Sequence, residues 1–403
     1  MRSTFLTLDH FLIQHQAFWR FEPFFASLEA TTLPTTWQTH APELCNWLNS
    51  LTDQQVEEYL QQPEMLVAVL APFISGLSEA LRLGQLPRLE ADSNPLPAAF
   101  HVGIPGRKLQ QIESMGTQAI SINNSDEWLE WCSGKGFLGR VLSHHTQHPV
   151  TSVEYQQALC ESGAAQSLAL GINNQRFIQA DVLQEGIDEV FHSRQHAVAL
   201  HACGDLHQTL IKKAVAHQLP AVSLSPCCYH LTANSEYQPL SKVAQQSSLR
   251  LNRAELRIPL QQTVTGGERV KRHRQLEMSY RLGFDLLLRQ QLGHEEYTPI
   301  PSIKKSALGQ GFEQFCRWAA DSKQIALLEC DFAYYYALGL ERFWHMEKLS
   351  LVQSLFKRPL EIWLVLDKSQ FLAEAGYKVK LGEFCARNIT PRNVLIQATK
   401  PAE

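Results

Sequence analysis

Two periodicities divide the chain. Over the first ninety residues apolar positions recur at intervals of three and four. Leu44, Trp47, Leu48 and Leu51 follow the helix opener Ala41-Pro42, and Gln55–Leu60 and Leu66–Leu83 continue the pattern. No strand alternation interrupts it, so residues 1–95 are expected to form a helical N-terminal domain. Pro87–Pro97 turns to proline and acid and reads as a linker. From residue 100 onward short apolar runs alternate with helical stretches. The expected strands are Trp128–Cys132, Val150–Glu154, Gln175–Asp181, Ala197–His201 and Ala221–Ser225. Helical patterns over Phe137–His144, Gln156–Leu170 and Leu206–His217 fall between them. That alternation predicts βαβ units and a largely parallel sheet.

The alternation stops at residue 231. Residues 231–345 are mostly polar or helical and carry a basic run, Glu268-Arg-Val-Lys-Arg-His-Arg274. An apolar helix over Leu360–Ala375 follows, closed by Gly376, and then Tyr377–Phe384 and Asn393–Thr399 alternate like two strands. A helix followed by such a pair resembles the end of the class I methyltransferase sheet, whose last strand is antiparallel. The expected fold class is therefore α/β: a Rossmann-like, seven-stranded sheet over 96–403, an N-terminal all-α domain, and a helical insertion (231–345) after the fifth strand.

Composition narrows the partners. At 403 residues the chain is long for one core, which fits two domains or one with a large insertion. Hydrophobic residues at 44% and charged residues at 19% are ordinary for a globular protein. A net charge of -4 gives no whole-molecule attraction to nucleic acid, so such binding requires a local basic surface. The nine cysteines form no CxxC pair, and the first residues lack a secretory pattern, so a reducing cytoplasm is expected. No run approaches the roughly 18 apolar residues a membrane span needs, so no membrane association is expected.

The chemistry gathers at the expected strand ends. Glu127-Trp-Leu-Glu-Trp-Cys-Ser-Gly-Lys-Gly-Phe-Leu-Gly139 reads as a strand, a glycine turn and a helix start. Gly134 and Gly136 let the backbone approach a ligand where a Cβ would clash. Glu154 is suited to ribose hydroxyls, Asp181 to an adenine amino group, and Glu130 to an amino-acid tail. Gly134-x-Gly136-x-x-Gly139 also satisfies the dinucleotide fingerprint, so a nicotinamide-dependent oxidoreductase is an alternative. Glu154 alone also reads as a solvated strand end, and Asp181 alone as a helix cap. The ordered series and the terminal helix-strand-strand favour S-adenosylmethionine as the cofactor.

Ala199-Leu-His-Ala-Cys-Gly-Asp205 and Cys227-Cys-Tyr-His-Leu231 are similar to the methyltransferase-like protein 25 family. So are Gly106-Arg-Lys-Leu-Gln110 and the tail from Leu364-Val-Leu-Asp-Lys through Thr390-Pro-Arg-Asn393. The strand ends also resemble the core of the tRNA 2′-O-methyltransferases, whose zinc finger has no counterpart here. The resemblance covers roughly residues 100–400. It implies a class I S-adenosylmethionine-dependent methyltransferase acting on RNA or on a ribosome-associated protein, with no role for DNA. It places Lys108, Cys132 and His201 with the cofactor set. Cys132 stands where the usual pattern has its first glycine.

Methyl transfer is an in-line displacement, so alignment is the main requirement, with a base for a weak acceptor. Ser225-Pro-Cys-Cys-Tyr-His230 is expected beside the cofactor, with Tyr229 stacking on a base and His230 taking a proton. His201 and Asp205 end the neighbouring strand; Asp205 equally suits a helix cap. Cys227 and Cys228 have the right chemistry for zinc or for attack on a pyrimidine, but structural zinc sites usually space their ligands, so no metal is expected. Arg269, Lys271, Arg272 and Arg274 are candidates for holding substrate phosphates, against the blander reading of a solvated helix face.

Overall fold

The computed structural model describes residues 1–92, 96–261 and 267–401; residues 93–95 of the expected linker lie outside the described residues. The strands are β1 (Glu127–Trp131), β2 (Val150–Glu154), β3 (Gln175–Gln179), β4 (Gln195–Cys203), β5 (Ala221–Cys227), β6 (Lys378–Glu383) and β7 (Val394–Thr399). They form one sheet in the order β3-β2-β1-β4-β5-β7-β6. Pairs from β3 through β5 are parallel, and β7 runs antiparallel to both β5 and β6. This is the class I methyltransferase sheet.

Seven of the helices among the described residues fall within residues 1–83: α1 (Arg2–Gln14), α2 (Pro23–Glu29), α3 (Thr35–His40), α4 (Pro42–Ser50), α5 (Asp53–Gln61), α6 (Pro63–Leu70) and α7 (Leu77–Leu83). The run Leu66–Leu83, expected as one helical stretch, is split around Pro72, which has no N–H to continue the ladder. Helices α8 (Gly106–Ser121), α9 (Phe137–Thr146), α10 (Gln157–Ala169) and α11 (Asp205–Ala216) lie between or beside the parallel strands in sequence. Helices α12 (Lys242–Gln245), α13 (Glu268–Leu292), α14 (Phe312–Lys323) and α15 (Phe332–Ser354) follow β5, and α16 (Lys357–Glu374) leads into β6.

Period-two alternation explains how the strands sit. Trp128 joins Ile112 and Met115 of α8 and Val141 of α9 in one buried cluster. Leu129 and Trp131 join Ile211 of α11 and Val365 of α16 in another. Both faces are covered, so the strands read as near-continuous apolar runs rather than half-polar ones. Each large apolar side chain so buried is worth about 1.5–3 kcal/mol.

The chain divides into two compact units. One comprises Met1–Ile13, Ala80–Leu260 and Arg358 onward, and so contains the sheet. In it, Asp9 accepts from Ser247 Oγ (2.6 Å) and Trp363 Nε1 (2.8 Å), which fastens α1. The other comprises Gln14–Glu79 and Gln261–Lys357 and is helical. Its core includes Tyr280, Phe284, Phe312, Phe315 and Tyr335, and α15 packs on α13, α2 and α5. These units are not the linear pieces 1–95 and 96–403, because helices from both sides of the sheet segment share one apolar core. Among the described residues no helix is long and apolar enough to cross a membrane.

Candidate functional site

The turn after β1 is held by a carboxylate from the next strand. Glu154 ends β2; its Oε2 accepts from Gly134 N–H (2.9 Å) and its Oε1 from Gln156 N–H (3.0 Å). Cys132, Gly134 and Gly136 all take positive φ (54°, 59° and 67°), so the turn is left-handed at three residues. Glycine adopts this at little cost, whereas Cys132 bears the strain that a first glycine would relieve. A Cβ on Gly134 would meet nothing within 4 Å, so the space above the turn is open. Gly136 differs: a Cβ there would run into Phe177 and Gln175.

Two of the expected acids bear on one atom. Burial pushes the Cys132 thiol up to about 12, and the charges of Glu154, Cys203 and Asp181 add to that rise. Glu154 is tied to Gly134 by its hydrogen bond, and Asp181 bears electrostatically on Cys132 of the same turn. Asp181 lies just past β3, where its Oδ1 accepts from Leu183 N–H (3.0 Å). That is a local side-chain turn, and it leaves Oδ2 in reach of Gln184 Nε2 (3.4 Å).

Glu130 behaves otherwise than expected. It shares the parity of Trp128, so the pleat points it at α9 beneath the turn. It is 3% exposed, and its Oε2 accepts from Ser152 Oγ (2.6 Å). Burial raises its carboxyl to about 7, against the Ser152 bond and the backbone N–H groups of Gly139 and Leu138. Glu130 braces the helix start beneath the turn. Gln175 completes the brace, donating from Nε2 to Gly136 O (3.0 Å) and Ser152 Oγ (2.9 Å).

The proton on Glu130 gives a pH signature. In the folded chain it stays on up to about 7, and in the unfolded chain it leaves near 4.5. Between those values the native state binds more protons, so stability falls as pH rises. A Glu130→Gln variant lacks this linkage. The wild-type advantage over it should shrink by about 3 kcal/mol from pH 4.5 to pH 7 in urea unfolding. Parallel profiles for the two proteins would show an ordinary, ionised carboxylate.

His201 occupies a β-bulge. The β4/β5 register shifts between Leu200 and Ala202, and His201 takes φ 60°. Its Nε2 donates to Gln111 Oε1 (2.6 Å), which leaves Nδ1 buried and without a partner. Burial, then the charges of Arg392 and Lys108, lower its pKa to about 4, so the ring is neutral at physiological pH. Lys108, whose Nζ stands 5.1 Å over the Phe137 ring, is thus brought beside both the turn and β4. The bulge also places Cys203 directly opposite Cys227. Ser133 Oγ, within the turn, is likewise buried and unpartnered.

Past β5 the roles separate. Tyr229 is 2% exposed, its OH has no partner, and its ring lies between His207 (5.7 Å, edge-on) and Lys368 Nζ (5.2 Å). It is buried core and does not present a face for base stacking, because residue type gives chemistry but not orientation. His230 is partly exposed, with an unpartnered Nδ1, and burial plus Arg257 and Arg392 lower its pKa. Asp205 Oδ2 accepts from Ala233 N–H (2.7 Å) and ties down the following loop.

Cys203, Cys227 and Cys228 have their sulfurs within 4.8 Å of one another. Hydrogen bonding with Cys227, and then with Cys228, holds the Cys203 thiol below its ordinary value against burial, while the Cys227 and Cys228 thiols are raised. Arg392, from the Thr390–Asn393 motif, bears on His201, Cys203, Cys228 and His230, and its backbone oxygen accepts from Ser225 Oγ (3.3 Å). The sequence singled out that motif but gave Arg392 no role. Gln111, Ser133, Ser152 and Gln175 were missed because single polar residues carry no spacing signal.

The basic run lies on α13, in the helical unit. Lys271 pairs with Glu268 (2.8 Å) and Arg274 with the buried Glu347 (2.7 Å). Both line a hollow of about 370 Å³ with Met278, Trp344 and Lys357. Arg269 and Arg272 are on the same helix.

Residues 107–235 match a family model described as a methyltransferase domain. No curated protein matches the sequence. Several solved structures are similar to part of the chain. TrmN from Thermus thermophilus shares 20% identity over 31% of this chain and 40% of its own, with a TM-score of 0.26. The Pyrococcus abyssi tRNA (uracil-54, C5)-methyltransferase in complex with S-adenosyl-L-homocysteine shares 13%, over 28% and 27%, at 0.24. A SAM-dependent methyltransferase from Thiobacillus denitrificans shares 15%, over 32% and 55%, at 0.24. The chain spans less than two thirds of the length of each. Family model and sheet order together give a class I methyltransferase domain.

Proposed function

We propose that this methyltransferase domain transfers a methyl group from S-adenosylmethionine to a macromolecule, RNA (ribosomal or transfer) ahead of a ribosome-associated protein. Within the class we place it in the methyltransferase-like protein 25 family, on Ala199–Asp205 and Cys227–Leu231. Its nine cysteines are free thiols, which suits the cytoplasm.

The observation that carries the reading is the Gly134 N–H held by Glu154 at 2.9 Å, beneath open space and beside Asp181. An adenosine fits what that geometry leaves unsatisfied. Glu154 has lone pairs remaining on both oxygens for ribose hydroxyls, and Asp181 Oδ2 suits an exocyclic amine. Buried Ser133 Oγ and His201 Nδ1 lack partners, and each such group costs stability until a ligand meets it. S-adenosylmethionine, when bound, supplies a methyl group activated by its cationic sulfur. His201 accepts a hydrogen bond at Nδ1 and orients what enters. His230, partly exposed and with its pKa lowered by burial and by Arg257 and Arg392, takes the acceptor's proton. The RNA preference is supported by the basic run on α13, whose Arg269 and Arg272 suit phosphates.

Calorimetry tests the cofactor. Micromolar binding of S-adenosylhomocysteine with none of NAD is expected. Preference for NAD would mean an oxidoreductase, and binding of neither would mean a silent scaffold; either overturns the reading. Mass spectrometry of nucleosides and ribosomal proteins from cells lacking the gene tests the acceptor. An RNA methyl mark should disappear, and loss of a protein mark alone would move the acceptor to protein.

A further inference from the structure

We propose that Cys203, Cys227 and Cys228 bind one zinc ion as a three-thiolate site with an open fourth position. The adjacency of Cys227 and Cys228 in sequence argues against a local zinc motif, but the third ligand comes from the neighbouring strand. The bulge at His201 sets Cys203 across from Cys227, with sulfurs 3.5 Å apart, and Cys228 closes the triangle within 4.8 Å. Zinc–sulfur bonds of about 2.3 Å in a tetrahedron put sulfurs about 3.8 Å apart, so the observed spacing needs little adjustment. A disulfide would engage two of the three and needs its sulfurs about 2 Å apart.

The surroundings suit a charged complex. Three thiolates around a divalent ion carry a net negative charge. Arg392, whose Nε is buried with no hydrogen-bond partner, places its cation against Cys203 and Cys228. Cys227 is 1% exposed, whereas Cys203 and Cys228 are half-buried, so the ion has a fixed inner ligand and an entry side. Three protein ligands with a free position is the pattern of reactive rather than structural zinc. Binding displaces the thiol protons, so affinity rises with pH. The proposal stands independently of the methyl-transfer reading, since its readout is the metal itself.

Cobalt(II) titration of the reduced, full-length protein tests it. Thiolate-to-cobalt charge-transfer and tetrahedral d–d absorption should appear, saturate at about one equivalent, and vanish on adding zinc. Cys203→Ser and Cys228→Ser should each lose the bands, while Cys316→Ser, in the helical core, should retain them. Absence of the bands in reduced wild-type protein overturns the site, as do bands that persist in both ligand variants. Absence of the bands from the wild-type spectrum overturns the site even if a variant fails to fold.

Discussion

A Glu154→Ala variant should show no S-adenosylhomocysteine binding at concentrations that saturate the wild type, a loss of at least ~100-fold. Two hydrogen bonds from ribose hydroxyls to one carboxylate are each worth about 1.5–3 kcal/mol, and every 1.4 kcal/mol is tenfold in affinity. The variant also releases Gly134 N–H, which Oε2 holds at 2.9 Å, so the turn loses its anchor as well as the ligand its partner. Glu154→Gln separates the two effects. It keeps the side chain's size and one acceptor, and should bind measurably but weakly. Calorimetry on both variants, with near-ultraviolet circular dichroism to confirm folding, is the measurement. Wild-type affinity in a folded Glu154→Ala protein would remove the ribose assignment and with it the crevice.

Gly204→Ala is the most damaging single methyl the sheet unit offers. Gly204 takes φ 52°, and its N–H donates to Cys227 O (3.0 Å) while Asp205 N–H donates to Leu231 O (3.0 Å). The chain after β4 is thereby laced to the loop after β5, and an added Cβ would overlap the Leu231 carbonyl at well under 3.0 Å. Backbone stands in the way rather than a flexible side-chain end, so relaxation requires moving both connections. The expected cost exceeds about 4 kcal/mol, in the range seen only for severe core lesions. Gly103→Ala is the control. It shares the left-handed conformation (φ 79°) but has open space around it, so it should cost only about 1–2 kcal/mol. Urea unfolding of the pair isolates the clash, and equal midpoints would show that the Gly204 contact is not as described.

The strands and the acids at their ends were legible because each signal is local. Val150–Glu154 reads as a strand because it is buried on both faces and ends in an acid, and the structure gives the same bounds. What escaped was anything that depends on pairing across the sheet. β4 runs to Cys203 rather than His201, since a bulge leaves no mark on apolar periodicity. Cys203 joins Cys227 and Cys228 through register, which spacing along the chain does not encode. Glu130, expected to face an amino-acid tail, points beneath the turn instead, because parity decides its direction and the helix start consumes it. Tyr229 failed for the same reason, being chosen by type and then found in the core. The partition at residue 95 missed that early and late helices share one interior, a long-range fact with no local trace.

The extra residue at position 201 separates alignment from display at the end of β4. Leu200 stands opposite Ser225, Ala202 opposite Pro226 and Cys203 opposite Cys227. Ser225 and Pro226 are consecutive, so excising that single amino acid would let the same partners follow one another without the bulge. A one-codon deletion at 201 should thus keep the later pairing and remove only the displayed imidazole, whereas deleting Leu200 would remove a paired position, and deletion scanning would read that difference directly.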